Sequence, residues 1–117
     1  MKMIQKTIPV LPAINIKDTI MFYESKLGFT AFDLGGYLIM KKDDAELHFF
    51  LCTDRYLCEN SRSYIRVSNI EDLYIELSAL NIILPNGKLA GKNRGLKEFS
   101  LLDNNGNLLR FAEDTKK

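Results

Sequence analysis

The sequence predicts an α+β fold made of two related βαβββ modules. The order strand, helix, strand, strand, strand occurs in residues 1–60 and returns in residues 61–117, which is the pattern expected of an internal duplication. Apolar residues recur at helical spacing in both proposed helices and alternate with polar residues in most of the proposed strands. We therefore expect a single domain over residues 1–117 with two similar halves.

The first module begins with a strand-like run that contains Val10, Ile14 and Ile16 and ends at Lys17, followed by a helix from about Thr19 to Lys26. Asp18 is the expected N-cap, because a short carboxylate can accept a hydrogen bond from the first helical turn. Gly28 follows the helix where a left-handed residue is favoured. Three strands should come next, with the sequences FTAFDL, GYLIMKK and AELHFFL.

The second module repeats this order. A strand is expected from Tyr64 to Val67, and Asn69 is the expected N-cap of a helix from about Ile70 to Leu80. Asn81 follows that helix as a glycine follows the first one. The three expected strands have the sequences ILPNGKLA, KEFSLLD and NLLRFAE.

Residues 83–97, which include Arg94, contain one proline, three glycines and several basic residues but few large apolar ones. This composition predicts a mobile loop, which is either a solvated connection or a lid over a site.

Composition excludes several functional classes. The formal net charge is +1, so no overall positive field is available to hold nucleic acid or an anionic membrane. The N-terminal stretch is too short and too interrupted by proline to span a membrane, and it has no cleavage site of the secretory type. Cys52 and Cys58 match no common zinc spacing. We expect a cytoplasmic protein with reduced thiols, one disulfide being the alternative.

Four segments together carry a family resemblance, and they have the sequences INIKDTIMFYESKLGF, AELHFF, YIRVSNIEDLYIEL and EFSLLDNNGNLLRF. In this order and spacing they resemble the glyoxalase/bleomycin resistance proteins of the vicinal oxygen chelate superfamily, whose fold dihydroxybiphenyl dioxygenases share. The resemblance covers nearly the whole chain. It implies a single domain of this type, a cup-shaped groove between sheets, and a homodimer with or without exchanged strands.

The resemblance also implies where a metal would bind. The four ligand positions of metal-dependent relatives fall at Leu11, His48, Arg62 and Arg110, and of these only His48 can coordinate a metal. Leucine has no lone pair, arginine would repel a cation, and a catalytic site normally needs three protein ligands. We therefore expect neither a metal nor another cofactor, as in the bleomycin-binding branch of the family.

Strand alternation predicts which side chains face the groove. In AELHFFL it sends Leu47, Phe49 and Leu51 to the core and the intervening residues to the groove. Among drug-binding relatives, the position of Tyr37 is often a tryptophan. The candidate ligand-binding residues are Phe32, Tyr37, Glu46, His48, Phe50, Arg62, Tyr64, Arg66 and Arg110. No catalytic residue is assigned.

Two alternatives remain open for these side chains. The arginines can bind an anionic or aromatic ligand, or they can pair with Glu46, Glu98 and neighbouring acids across a dimer. His48 is either a hydrogen-bonded lining residue or a base.

The function that these features favour is metal-independent sequestration of a drug or aromatic metabolite in a dimer groove, as in bleomycin-type antibiotic resistance. The alternative is a lyase or isomerase of the glyoxalase type that uses His48 and Glu46. A third hypothesis is an interaction module whose groove is filled by its own side chains. No nucleic-acid or membrane partner is expected.

Overall fold

The computed structural model describes residues 1–92 and 95–115. Asn93 and Arg94 of the expected loop lie outside these ranges. In chain order the helices and strands are β1 Val10–Ala13, α1 Ile16–Ser25, β2 Thr30–Asp33, β3 Tyr37–Lys42, β4 Ala45–Leu51, α2 Arg55–Glu59, β5 Arg62–Arg66, α3 Ile70–Ser78, β6 Ala90–Lys92, β7 Leu96–Leu102 and β8 Leu108–Asp114.

The strands form two four-stranded sheets with the same internal order. The first sheet has the order β1-β4-β3-β2 and the second has β5-β8-β7-β6. In each sheet the first strand runs parallel to the last strand of its module, with Val10 beside His48 in one and Tyr64 beside Arg110 in the other. The repeated topology confirms the prediction of an α+β fold with two βαβββ modules.

Helix α1 begins earlier than predicted. Asn15 is its N-cap, and the Asn15 side chain accepts a hydrogen bond from the backbone N–H of Asp18 at 2.9 Å. The prediction of Asp18 as the cap was therefore wrong; this residue lies in the first turn, where the helix dipole favours a carboxylate. The first strand accordingly ends at Ala13, before the isoleucines that sequence alternation had assigned to it.

Asn69 occupies the N-cap position of helix α3, as predicted, but its own side chain does not make the capping hydrogen bond. Its backbone is in the left-handed conformation with φ 58°. The carboxylate of Glu113 on β8 instead accepts from the backbone N–H groups of Asn69, at 3.1 Å, and Ile70, at 2.9 Å. The helix ends at Ser78, and Asn81 has a positive φ of 60°, as predicted from its position after the helix.

Two segments differ from the expectation. The five-residue helix α2 joins the modules where no element was predicted. The strand expected in ILPNGKLA is reduced to one bridge between Ile83 and Leu101, followed by a turn in which Gly87 donates its N–H to Leu84 at 2.9 Å. Beyond this turn, β6 pairs with β7 inside the stretch expected to be a loop, so that prediction was wrong for Ala90–Lys92 and for the start of β7.

The core follows strand alternation. Leu47 and Phe49 are buried beneath the helices, as predicted, together with a larger apolar set from both modules. Leu51 was wrongly assigned to the core, because it ends β4 beyond the covered part of the sheet and is 53% exposed. Both cysteines are free, and the thiol of Cys58 is buried against the Pro12 carbonyl.

The turn between β7 and β8 ties the second module to the first. Tyr23 on α1 donates its hydroxyl to the buried carboxylate of Asp103 at 2.6 Å. The Asn107 side chain donates to the Pro12 carbonyl at 2.9 Å, and the Asn105 side chain accepts from the Ile14 N–H at the same distance. These are buried or partly buried contacts between residues more than 75 positions apart.

The chain is flat rather than spherical, with extents of 45 × 42 × 24 Å. It exposes 7791 Å² of surface, whereas a compact monomer of this mass exposes about 6,500 Å². No helix within the described ranges is long and apolar enough to cross a membrane.

Candidate functional site

One face of the first sheet carries five of the nine candidate side chains. Glu46, His48 and Phe50 alternate on β4 with the buried residues of that strand, so they lie on the face opposite the core. Cross-strand pairing adds Tyr37 on β3, opposite Phe50, and Phe32 on β2, opposite Ile39. Phe32 is 47% exposed. We call this surface the first-sheet face.

A chain of hydrogen bonds crosses the first-sheet face. Tyr37 Oη lies 2.8 Å from His48 Nδ1, and His48 Nε2 lies 2.6 Å from Glu46 Oε2. Glu46 Oε1 accepts from Lys6 Nζ at 2.8 Å. These hydrogen bonds therefore link the N-terminal segment to β4 and β3.

The partners of Glu46 hold it in the charged form. The hydrogen bond from Lys6, followed by the one with His48, lowers the pKa of Glu46 from its ordinary 4.5 to about 2. Nearby Lys41 contributes in the same direction. Glu46 is therefore a carboxylate throughout the physiological range, and its charge is already compensated by Lys6.

Both ring nitrogens of His48 are engaged. When the imidazole is neutral and Nε2 carries the proton, Nε2–H donates to the Glu46 carboxylate and Nδ1 accepts from the Tyr37 hydroxyl. Neither nitrogen is left to take a proton from a substrate in this arrangement. The geometry favours the interpretation of His48 as a hydrogen-bonded lining residue.

The other four candidates lie on one face of the second sheet. Arg62, Tyr64 and Arg66 alternate on β5, and Arg110 on β8 pairs with Tyr64. Tyr64 donates its hydroxyl to Glu98 at 2.8 Å, and the Arg66 guanidinium carbon lies 5.6 Å from the centre of the Tyr64 ring. We call this surface the second-sheet face.

The ion pairs considered from the sequence are not formed within one chain. Across residues 1–92 and 95–115, no ion pair joins Arg62, Arg66 or Arg110 to Glu46 or Glu98. Glu46 is taken by Lys6 and His48, and Glu98 accepts from a tyrosine. The three guanidinium groups therefore remain available for a ligand or a second chain.

The metal-ligand positions require a correction in the first strand. Leu11 pairs with Phe49 and is buried in the core, so the first-sheet residue beside His48 is Val10. In the second sheet, the neighbour of Arg110 is Tyr64 rather than Arg62. Valine, histidine, tyrosine and arginine do not make a divalent-metal site. No group of three or more potential ligands comes together among the described residues.

Two lysines of the first-sheet face were missed by sequence reasoning. Lys6 precedes β1 in a segment without periodicity, and no sequence signal pairs it with Glu46. Lys41 lies over the Phe32 ring, 5.8 Å from its centre, beside an open depression of about 430 Å³. Strand alternation would have placed Lys41 on this face, two residues beyond Ile39.

Comparisons with known proteins agree with this architecture, although no family model matches the chain. The bleomycin resistance protein of Geobacillus stearothermophilus is 27% identical over 129 aligned positions, which cover 95% of this chain and 98% of that protein.

Solved structures share the fold over almost the whole chain. The bleomycin resistance determinant encoded on transposon Tn5 has a TM-score of 0.81 at 24% identity and covers 97% of this chain and 100% of its own. The bleomycin-binding protein of Streptomyces verticillus, solved with copper(II)-bleomycin, has a TM-score of 0.82 at 22% identity, with coverages of 95% and 97%. The repeated modules and these likenesses show that the chain has the fold of the bleomycin resistance proteins and is similar in sequence to one of them over 95% of its length.

Proposed function

We propose that this protein binds a drug or an aromatic metabolite and acts by sequestration, without a metal and without catalysing a reaction. The observation that carries the proposal is the first-sheet face, where aromatic rings project from the side of the strands opposite the buried core. The bleomycin-binding proteins that share the fold support a ligand of the bleomycin type. Sequestration needs only binding affinity, and aromatic side chains that stack on the ligand would supply it.

The groove is proposed to form between two copies of the chain in the cytoplasm. The exposed surface exceeds that of a compact monomer of this mass by about 1,300 Å², and a stable interface covers about 800 Å² on each partner. The exposed apolar side chains of Val10, Leu51 and Leu102 are suited to such an interface. Sedimentation equilibrium should therefore give twice the 13.4 kDa chain mass.

Catalysis of the glyoxalase type is the less favoured alternative. It would need His48 or Glu46 as a base, yet both His48 nitrogens are hydrogen-bonded and Glu46 is a weak base with a pKa of about 2. A general base works best when its pKa is near the operating pH.

Calorimetric titration with copper(II)-bleomycin tests the proposal. We expect saturable binding of one ligand per chain, with the ligand recovered unchanged. Replacing Phe32→Ala should weaken binding about tenfold through the loss of ring contacts. Tyr56→Ala is the matched control, because Tyr56 is 73% exposed on α2. The absence of both heat and a thermal shift at high ligand concentration would refute the drug-binding proposal.

A further inference from the structure

We propose that the second-sheet face binds the anionic group of a planar aromatic ligand, through Arg62, Arg66 and Arg110 arranged around the ring of Tyr64. This inference rests on the proposed function, because it names the chemical class of ligand that the groove would hold. It assigns the acidic end of the ligand to the second sheet.

Tyr64 is the centre of the group, since Arg62 and Arg66 lie two residues away on the same face of β5, about 7 Å along the strand. Arg110 is the register partner of Tyr64 on the neighbouring strand β8. The Arg66 guanidinium is already 5.6 Å from the ring centre. All three arginines are therefore neighbours of Tyr64 on this face.

Three guanidinium groups share this face with the carboxylates of Glu98, which accepts the Tyr64 hydroxyl at 2.8 Å, and of Asp114 at the end of β8. No ion pair to a described residue neutralises any of the three. A cationic ligand would be repelled here, whereas an anion would gain charge-assisted hydrogen bonds.

A guanidinium offers paired N–H groups to a carboxylate, phosphate or sulfonate, and it can also stack on a flat ring. The hydroxyl bond to Glu98 fixes the orientation of the Tyr64 ring, which remains 48% exposed. A ligand with an aromatic plane and an attached anion would match both features at once.

The first-sheet face does not offset this preference. The carboxylate of Glu46 on that face is compensated by Lys6 at 2.8 Å, and Lys41 adds a further positive charge. A cationic ligand would have to displace Lys6 before it reached Glu46.

A pair of fluorescent probes tests the inference. Anilinonaphthalene sulfonate carries an anion on its aromatic rings, and N-phenylnaphthylamine has the same rings without the sulfonate. We expect the sulfonate probe to bind at least about tenfold more tightly than the neutral one, and Arg110→Gln to remove most of this difference. Arg55→Gln, on α2 outside both faces, should change neither affinity.

Equal affinity for the two probes would overturn the inference, as would an unchanged preference in Arg110→Gln. Loss of the dimer in Arg110→Gln would overturn it too, because the arginine would then serve assembly. If that variant does not fold, Arg62→Gln gives the same test at an exposed position. Copper(II)-bleomycin separates the two proposals: arginine-dependent sulfonate binding without bleomycin binding refutes only the drug proposal, and the reverse result refutes only this inference.

Discussion

Replacing Tyr23→Phe should weaken the link between the modules. The substitution removes only the hydroxyl that donates to Asp103 at 2.6 Å, in a site where the tyrosine is fully buried. Asp103 Oδ2 keeps its second donor, the side chain of Asn107 at 2.9 Å. A lost hydrogen bond to a charged group costs about 2 kcal/mol, which lowers the melting temperature of a domain of this size by about 8 °C.

The same substitution should change the alkaline limb of the stability curve. Burial, then the charge of Asp103 and the hydrogen bond to it, raise the pKa of Tyr23 well above 10. A raised pKa gives stability that is complete below the unfolded-state value of about 10 and is lost as pH rises above it. The wild-type unfolding free energy should therefore fall more steeply above pH 10 than that of Tyr23→Phe.

Urea unfolding followed by circular dichroism at neutral and alkaline pH measures both effects. Tyr74→Phe is the matched control, because Tyr74 is a half-buried helix tyrosine that contacts the Phe99 ring and donates no hydrogen bond within the described residues. Its unfolding free energy should change by less than about 0.5 kcal/mol. Equal urea midpoints for wild type and Tyr23→Phe would refute the reasoning.

Three further changes test other parts of the structure. A carbon NMR titration should give a pKa of about 2 for the Glu46 carboxyl, and Lys6→Gln should move this pKa back towards 4.5. Any stability that the Glu46 carboxylate contributes is lost as pH falls from 4.5 towards 2. Gly106→Ala should lower the free energy of unfolding by about 1–2 kcal/mol in chemical denaturation, because Gly106 has a φ of 103° that an alanine rarely adopts. Gly91→Ala should lower it less, because there is open space for a methyl group at Gly91. Phe49→Ala should lose about 3–5 kcal/mol in the same assay, since it empties a fully buried position.

The fold was largely predictable because its main signals are local. Alternation in AELHFFL identified the buried and exposed faces of β4, and repeated helix boundaries identified the modules. The cap of α3 was not predictable, because Glu113 reaches Asn69 from a strand that is 44 positions away in sequence. Likewise, no local sequence pattern predicts that Asp103 accepts a hydrogen bond from Tyr23.

For the candidate site, the sequence predicted which side chains lie together on each sheet, but not the contacts that they make. Alternation placed these side chains opposite the core, as the structure shows, but it could not supply Lys6, which comes from a segment without regular structure. A one-residue uncertainty in the first strand was enough to exchange Val10 for Leu11 at the metal-ligand position, since neighbouring strand residues point to opposite faces. Placing ligand positions by motif spacing therefore needs the strand register as well.

The central claim is that a ligand binds on the sheet faces, and copper(II)-bleomycin can report its own location. Bound copper(II) is paramagnetic and broadens the NMR signals of nearby residues, while zinc-loaded bleomycin provides the diamagnetic control. We predict selective broadening at Phe32, Tyr37 and His48, with the outer surface of α1, including Met21, unaffected. Broadening centred on the helices, or no broadening at saturating ligand, would contradict the account.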